Sequence, residues 1–270
     1  MAASSLLFRE LPETGSTNSW LKENAADSPH GLTVFTHTQS AGRGQRGNSW
    51  EAEPGKNLTF SVMLRPQWLH ASRQFAISQA VCCGVALTLA RRLEQAGFDA
   101  SQVKVKWPND VYAGDRKIAG ILIENSLSCS GQLAWSVAGA GVNINQSVWR
   151  SDAPNPVSLR QLTGVDTPLE PLLHEMASQI LALVEGTSTP DGCRELDALY
   201  SGMLYRADGR THPFFIPSDP ARPVSVIPDA PDARFHAMID GVNPDGALRL
   251  RHADGSITTH LFKEVSFVIS

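Results

Sequence analysis

The chain has 270 residues, 42% of them hydrophobic and 19% charged, a balance that excludes a disordered polymer and suits one large domain or a medium domain with a small satellite. Lys plus Arg number 23 against 27 for Asp plus Glu, and the formal net charge of −4 excludes a broad basic face for nucleic acid. Cys82, Cys83, Cys129 and Cys193 form no CxxC pair, so neither a zinc site nor a disulfide framework is expected.

The opening MAASSLLFRELPET has no basic n-region and no apolar stretch of signal-peptide length, and no later run reads as a membrane span. The expectation is a reduced, cytoplasmic protein with no membrane partner. Leu6–Leu11 reads as a short strand, and Ser16-Thr17 stand where an N-cap should precede a helix through Trp20-Leu21-Lys22-Glu23. Leu32–Thr38 and Asn57–Leu64, rich in β-branched and aromatic residues, read as strands flanking a Gly-rich loop. Apolar residues recur at helical spacing over Arg73–Phe98, and Gly97 is placed to stop that helix.

Val103–Trp107, Asp110–Tyr112, Lys117–Glu124 and Leu133–Asn143 read as strands joined by tight turns, and therefore as antiparallel neighbours. Asn145–Asp166 is rich in Pro, Ser and Asn and reads as a loop, followed by helices over Leu169–Leu183 and Arg194–Leu204. Pro217, Pro220, Pro223, Pro228 and Pro231 then exclude regular helix or central strand. Beyond them come Phe235–Ile239, Ala247–His252, Ile257–Phe262 and Val265–Ile269, short strands whose spacing suggests a small β-barrel. The predicted fold class is α+β: a mixed, largely antiparallel sheet with packed helices over residues 1–205, then a linker and β-barrel over 206–270.

Gly42-Arg43-Gly44-Gln45-Arg46-Gly47 fits the G-x-G-x-x-G pattern after a strand, but Pro54 and Gly55 forbid the long helix that a dinucleotide site needs. No acidic ribose ligand stands about 20 residues on. Two arginines among glycines describe either a basic loop able to close over a phosphate or carboxylate, or a solvated surface turn. If Gly114-Asp115 form a two-residue turn, Tyr112 faces Lys117 and Asp110 faces Ala119, and all four share one face. Asp110 and Lys117 would then lie on a diagonal of about 7–8 Å, holding a substrate between anion and cation or forming a plain surface pair. In Gly139-Ala140-Gly141-Val142-Asn143 the glycines suggest close approach by a ligand, or simply a strand terminus. The eight histidines show no metal-like cluster, and Gly55-Lys56-Asn57 lacks the rest of a P-loop.

Together these segments resemble the biotin–protein ligase family. Gly15-Ser16-Thr17-Asn18 looks like its serine-threonine-asparagine motif, and Gln39-Ser40-Ala41-Gly42-Arg43-Gly44-Gln45-Arg46-Gly47 like its biotin-binding loop. Lys106–Asp110 with Arg116-Lys117-Ile118-Ala119-Gly120 is similar to its ATP and biotin site, and Gly139–Asn143 to its second nucleotide-binding strand. The resemblance is dense from Leu6 to Asn145, sparse to about Pro231, and returns from Phe235 to Ser270. It implies a class II synthetase-like catalytic domain, an SH3-like C-terminal domain, and an ATP-dependent, AMP-forming ligase.

The resemblance also implies site roles. Ser16, Thr17, Asn18 and Gln39 would line the biotin ureido pocket, and Gly42, Arg43, Gly44, Gln45 and Gly120 would complete the biotin site. Lys117 would bind the biotin carboxylate and, with Arg43 and Asp110, would be catalytic. Arg46, Trp50, Lys106, Asn109, Asp110 and Asn143 would contact ATP, and Asn109 and Asp110 its Mg²⁺. The implied partner is a biotin carboxyl carrier domain of a carboxylase, with a homodimer left open.

The chain departs from the family at Gln45, where arginine is usual, so a weaker hold on the adenylate is expected. Repressor members carry an N-terminal winged helix-turn-helix domain, whereas fifteen residues precede Ser16, so no DNA binding is expected. The nearest alternative is a lipoate or octanoate ligase or transferase, whose Arg-Arg-x-x-Gly-Gly-Gly-type loop is not found. A biotin-sensing regulator without ligase activity is a more distant alternative.

Overall fold

The structure is a computed structural model and describes residues 6–44, 49–151, 155–217 and 234–269. Strands β1 (Leu7–Leu11) and β2 (Leu32–Thr36) are parallel, because helix α1 (Thr17–Glu23) supplies the crossover between them. Every other pairing is antiparallel, through β3 (Leu58–Leu64), β4 (Val103–Lys106), β5 (Asp110–Ala113), β6 (Arg116–Leu127) and β7 (Leu133–Val142). The order across this seven-stranded sheet is β1-β2-β3-β7-β6-β5-β4.

Both faces of the sheet are used. Phe60, Val62 and Leu64 of β3 point to the main core, where helix α2 (Phe75–Gln95) packs with α4 (Leu169–Gly186) and α5 (Pro190–Met203) behind it. Residues 71–95 do reach the length and apolarity of a membrane span, contrary to the sequence reading. Most side chains of α2 are nonetheless buried against the sheet and α4, so that apolarity is spent on the core.

The opposite face carries α1 over a smaller cluster of Leu11, Leu21, Val34, Met63 and Val137. The Ser16 cap bond from the Ser19 amide is 3.5 Å long, whereas Leu21 is fully buried. Burial of a leucine is worth about 1.5–3 kcal/mol against about 1 kcal/mol for a good cap, so packing anchors this helix more than its cap does.

The segment read as a loop from Asn145 to Asp166 contains a short helix, α3 (Leu159–Thr163). Ser158 and Gln161 close a reciprocal capping box on it, which lets five residues hold a helical turn. The C-terminal sheet has five antiparallel strands, one more than the sequence suggested: β8 (His212–Phe215), β9 (Arg234–Val242), β10 (Leu248–Arg251), β11 (Ile257–His260) and β12 (Ser266–Phe267). Its order is β11-β10-β9-β8-β12. Phe214, Ile239, Leu250 and Phe267 join the main core, and the Trp107 indole donates to the Gly246 carbonyl at 2.7 Å.

Candidate functional site

A cleft of about 290 Å³ opens on the α1 face of the large sheet, below α1 and beside β12. Its floor follows from strand register. Thr59 pairs with Gly141, Gly141 with Gly120, and Gly120 with Asp110, so one row crosses four strands. The next row runs Ser61, Gly139, Leu122. A β-carbon on Gly141 would stand 2.3 Å from Cε2 of Trp50, and one on Gly120 would stand 2.9 Å from the same indole. The two glycines therefore let the Trp50 ring lie directly on the sheet.

This register corrects the expected hairpin. Tyr112 does face Lys117, but a bulge at Ile118 sets Val111 against Ala119 and Asp110 against Gly120. Ala119 turns into the core, and the freed face is left to glycine. Asp110 and Lys117, which the hairpin reading set on a diagonal, meet through their side chains in a direct ion pair at 2.6 Å.

One end of the cleft is neutral and tightly bonded. Ser61 Oγ donates to Asn18 Oδ1 at 2.6 Å, and with its proton so used it accepts from Thr17 Oγ1 at 2.7 Å. Asn18 Nδ2 gives its hydrogens to the Leu122 carbonyl at 3.2 Å and to Glu124 Oε2 at 3.0 Å. Gln39 Oε1 accepts the Thr17 amide at 3.1 Å. Burial alone would raise the pKa of Glu124, but the bonds from Lys22 and Asn18 and the charges of Arg43 and Lys22 outweigh it and hold it below the ordinary carboxylate value. Glu124 also holds Arg43, at 3.3 Å, on the rim.

The other end is charged. Lys117 is fixed through its backbone, which donates to Asn155 O at 2.8 Å and accepts from Val157 N at 2.9 Å. Its ammonium lies 5.7 Å from the centre of the Trp50 ring. The Lys106 amine stands over Phe267 and Tyr112, at 5.1 and 5.4 Å. Burial lowers its pKa, Asp110 works against that, and the charges of Lys117 and Arg206 lower it further. Asn109 is pinned to β6, donating from Nδ2 to Ile121 O at 2.5 Å.

Of the residues expected in the site, Ser16, Thr17, Asn18, Gln39, Arg43 and Gly44 line the cleft toward α1, with the charge of Arg43 paired to Glu124. Trp50, Lys106, Asn109, Asp110, Lys117 and Gly120 line the rest. Gly42 and Asn143 stand outside the lining. Gly42 accepts the Trp50 amide at 3.0 Å, with no room for a β-carbon against the Trp50 carbonyl. Asn143 is 2% exposed and buries Oδ1 without a partner behind Lys117, whose carbonyl its Nδ2 reaches at 3.4 Å. Gln45 and Arg46 lie outside the described residues.

Sequence reasoning missed Ser61 and Thr59, although two polar residues at a period of two in an otherwise apolar strand are a readable signal. It also missed Phe262, Lys263 and Phe267 of the C-terminal segment, which close the charged end.

The fold and this cleft define a class of ligase in which a glycine-floored sheet is completed by a small β unit. The model of the Biotin/lipoate A/B protein ligase family matches residues 10–143. A biotin–[acetyl-CoA-carboxylase] ligase of Paracoccus denitrificans is 30% identical over 249 residues, covering 91% of this chain and 94% of the relative. The bifunctional ligase/repressor BirA of Escherichia coli is 38% identical over 134 residues, which span 50% of this chain but 39% of that protein. Biotin protein ligase from Aquifex aeolicus, solved in complex with biotin and ATP, has the same fold at a TM-score of 0.74 and 21% identity, over 98% of this chain and 99% of that one. The chain belongs to the biotin–protein ligase family.

Proposed function

We propose that the cleft activates biotin with ATP, forming biotinyl-5′-AMP and pyrophosphate, and then passes biotin to a lysine of a biotin carboxyl carrier domain. The observation that carries this is the division of one cleft into a neutral end and a cationic end. A ureido ring offers one carbonyl acceptor and N–H donors, which suits the uncharged groups of Ser16, Thr17, Asn18 and Gln39. A carboxylate and an α-phosphate approach each other only where cations offset the charge, and Lys117 and Lys106 line the cationic end.

In the first step a carboxylate oxygen attacks the α-phosphorus and pyrophosphate leaves. In the second, a neutral lysine amine attacks the acyl carbon and AMP leaves. Lys117, Asp110 and Arg43 are the catalytic residues in this reading, with Trp50 packed as a plate over the glycine floor. Mg²⁺ asks for one or two carboxylates besides phosphate oxygens and water. Asp110, the one carboxylate among the described residues lining the cleft, fits that requirement and with Asn109 would hold the ion, which would offset charge on the pyrophosphate. The division of the chain into units 1–205 and 206–270 goes with this reading, the second unit closing the nucleotide end.

The test is incubation with ATP, Mg²⁺ and a carrier domain, using biotin or octanoate as acid. Biotin-dependent addition of one biotinyl mass to the carrier lysine is expected. Modification with octanoate but not with biotin would replace this reading by the lipoate-type alternative.

A further inference from the structure

Residues 51–53 and 145–150 belong to no helix or strand. The first stretch continues from Trp50, whose indole lies on the Gly120 and Gly141 floor, and the second runs on from β7. Backbone without regular structure keeps one position only where its polar groups find partners elsewhere. The Trp50 amide donates to the Gly42 carbonyl at 3.0 Å, which fixes the chain on its loop side. On the other side the ties are made by two side chains, Glu51 and Gln146.

Gln146 is 1% exposed and uses its whole carboxamide. Its Oε1 accepts from the Glu53 amide at 3.0 Å and from Asn57 Nδ2, while Nε2 donates to Glu51 Oε1 at 3.1 Å and to the Val148 carbonyl at 2.9 Å. Two donors and two acceptors exhaust the group. Glu51 reaches further along the same segment: Oε1 accepts the Arg150 amide at 2.9 Å and Oε2 the Ser151 amide at 2.7 Å. A carboxylate held by two consecutive amides forms charge-assisted bonds, the stronger kind.

Neither Glu51 nor Gln146 is among the described residues that line the cleft, so an effect on the reaction must pass through a neighbour. The structure assigns Glu51, with Gln146 behind it, as the positioning residue that holds the Trp50 plate over the glycine floor. This rests on the reading of the cleft as a biotin-activating site. Gly139 and Gly141 lie two apart on one face of β7, with Asn18 against the first and the Trp50 ring against the second. The plate therefore adjoins the groups read as the ureido pocket. Asn143 is held apart from the link, since its amide donates to Ile118 O at 2.8 Å and its carbonyl accepts the Leu159 amide at 3.0 Å. Loss of the Glu51 link thus loosens Trp50 and leaves Asn143 in place.

Kinetics and hydrogen exchange test the assignment together. In biotin-dependent ATP–pyrophosphate exchange, Glu51→Ala should raise the KM for biotin about ten-fold and leave the KM for ATP within about two-fold. Glu51→Gln, which keeps an acceptor but no charge, should fall between the alanine variant and the wild type. In a Trp50→Ala background Glu51→Ala should add less than about two-fold, because its effect runs through Trp50. In the unliganded protein, amide exchange over residues 50–53 should quicken in Glu51→Ala while the melting temperature stays within a few degrees of wild type. An unchanged KM for biotin in folded Glu51→Ala would overturn the assignment. So would a full further rise on top of Trp50→Ala, or unaltered amide exchange over 50–53. Should the alanine variant fail to fold, Glu51→Gln decides by the same readings. If exchange ran with octanoate rather than biotin, the biotin reading would fall and the KM for octanoate would report on Glu51. If neither acid supported exchange, the adenylation reading would fall and amide exchange would decide whether Glu51 holds Trp50.

Discussion

The two ends of the cleft are built on opposite principles. At the neutral end, Thr17, Asn18, Ser61 and Gln39 satisfy one another through short hydrogen bonds, so the groups stand ready in a fixed orientation. At the other end, lysines crowd around one aspartate and Lys106 is held below its ordinary basicity, chiefly by burial. In the proposed reading the first end is preorganised for an uncharged ring and the second gains from an incoming anion, so that binding and reaction would be separated along one floor, with the two glycines under Trp50 between them.

The largest effect should come from breaking the charged end. Lys117→Ala removes a cation whose backbone is clamped by residues 155–157, leaving the surrounding core intact. Loss of one such stabilising group at a transition state costs about 3 kcal/mol, or a hundred-fold or more in rate. Biotin-dependent pyrophosphate exchange should fall by that factor, with the melting temperature nearly unchanged. Exchange within a few-fold of wild type would remove Lys117 from the chemistry.

A smaller effect should follow from disturbing the neutral end. A β-carbon on Gly139 would meet Asn18 Oδ1 at 2.1 Å, so Gly139→Ala must push Asn18 away from Ser61. Losing a buried neutral hydrogen bond costs about 1–3 kcal/mol, which corresponds to roughly five-fold to a hundred-fold in the KM for biotin. The KM for ATP should stay within a few-fold. A rise in both constants would mean that the two ends are not independent.

How much of this contrast could be read from the chain depends on sequence distance. Ser16, Thr17 and Asn18 are contiguous at a helix start, and Asp110 and Lys117 share a hairpin, so local patterning places both sets. The bulge at Ile118 has no side-chain signature, so the row Thr59, Gly141, Gly120, Asp110 emerges only from pairing. The approach of the C-terminal segment to the cleft was hidden for a different reason: it meets the turn at Trp107 through Phe262 and the Gly246 carbonyl, contacts that no local period encodes. Strand β8 was likewise masked by Pro213 and the proline-rich stretch beyond it, although its Phe214 and Phe215 are buried core residues.

The smallest effect sharpens the comparison at its weakest point, since the neutral end depends on one carboxylate. Glu124 bonds Asn18 and ties down Arg43 and Lys22, and its pKa in the folded protein lies below the ordinary 4.5. A depressed carboxylate contributes stability that is present above 4.5 and is lost as pH falls through the folded pKa, because the unfolded chain binds the proton first. Glu51 and Asp240 are depressed as well. For Glu51, burial is outweighed by bonds from Ser151 and Arg150, and for Asp240 the bond from Arg251 leads. The wild-type acid limb therefore mixes several groups, and the difference between wild type and Glu124→Gln isolates this one. Glutamine keeps an acceptor for Asn18 but does not titrate, so the melting temperature of Glu124→Gln should fall less steeply below pH 4.5 than that of the wild type. The gap should be a few degrees at most, as about 1 kcal/mol moves the midpoint by roughly 2–4 °C in a chain of similar size. Parallel melting curves down the acid limb would show that the Glu124 contacts contribute nothing to folding, and that Asn18 is oriented by Ser61 and the Leu122 carbonyl alone.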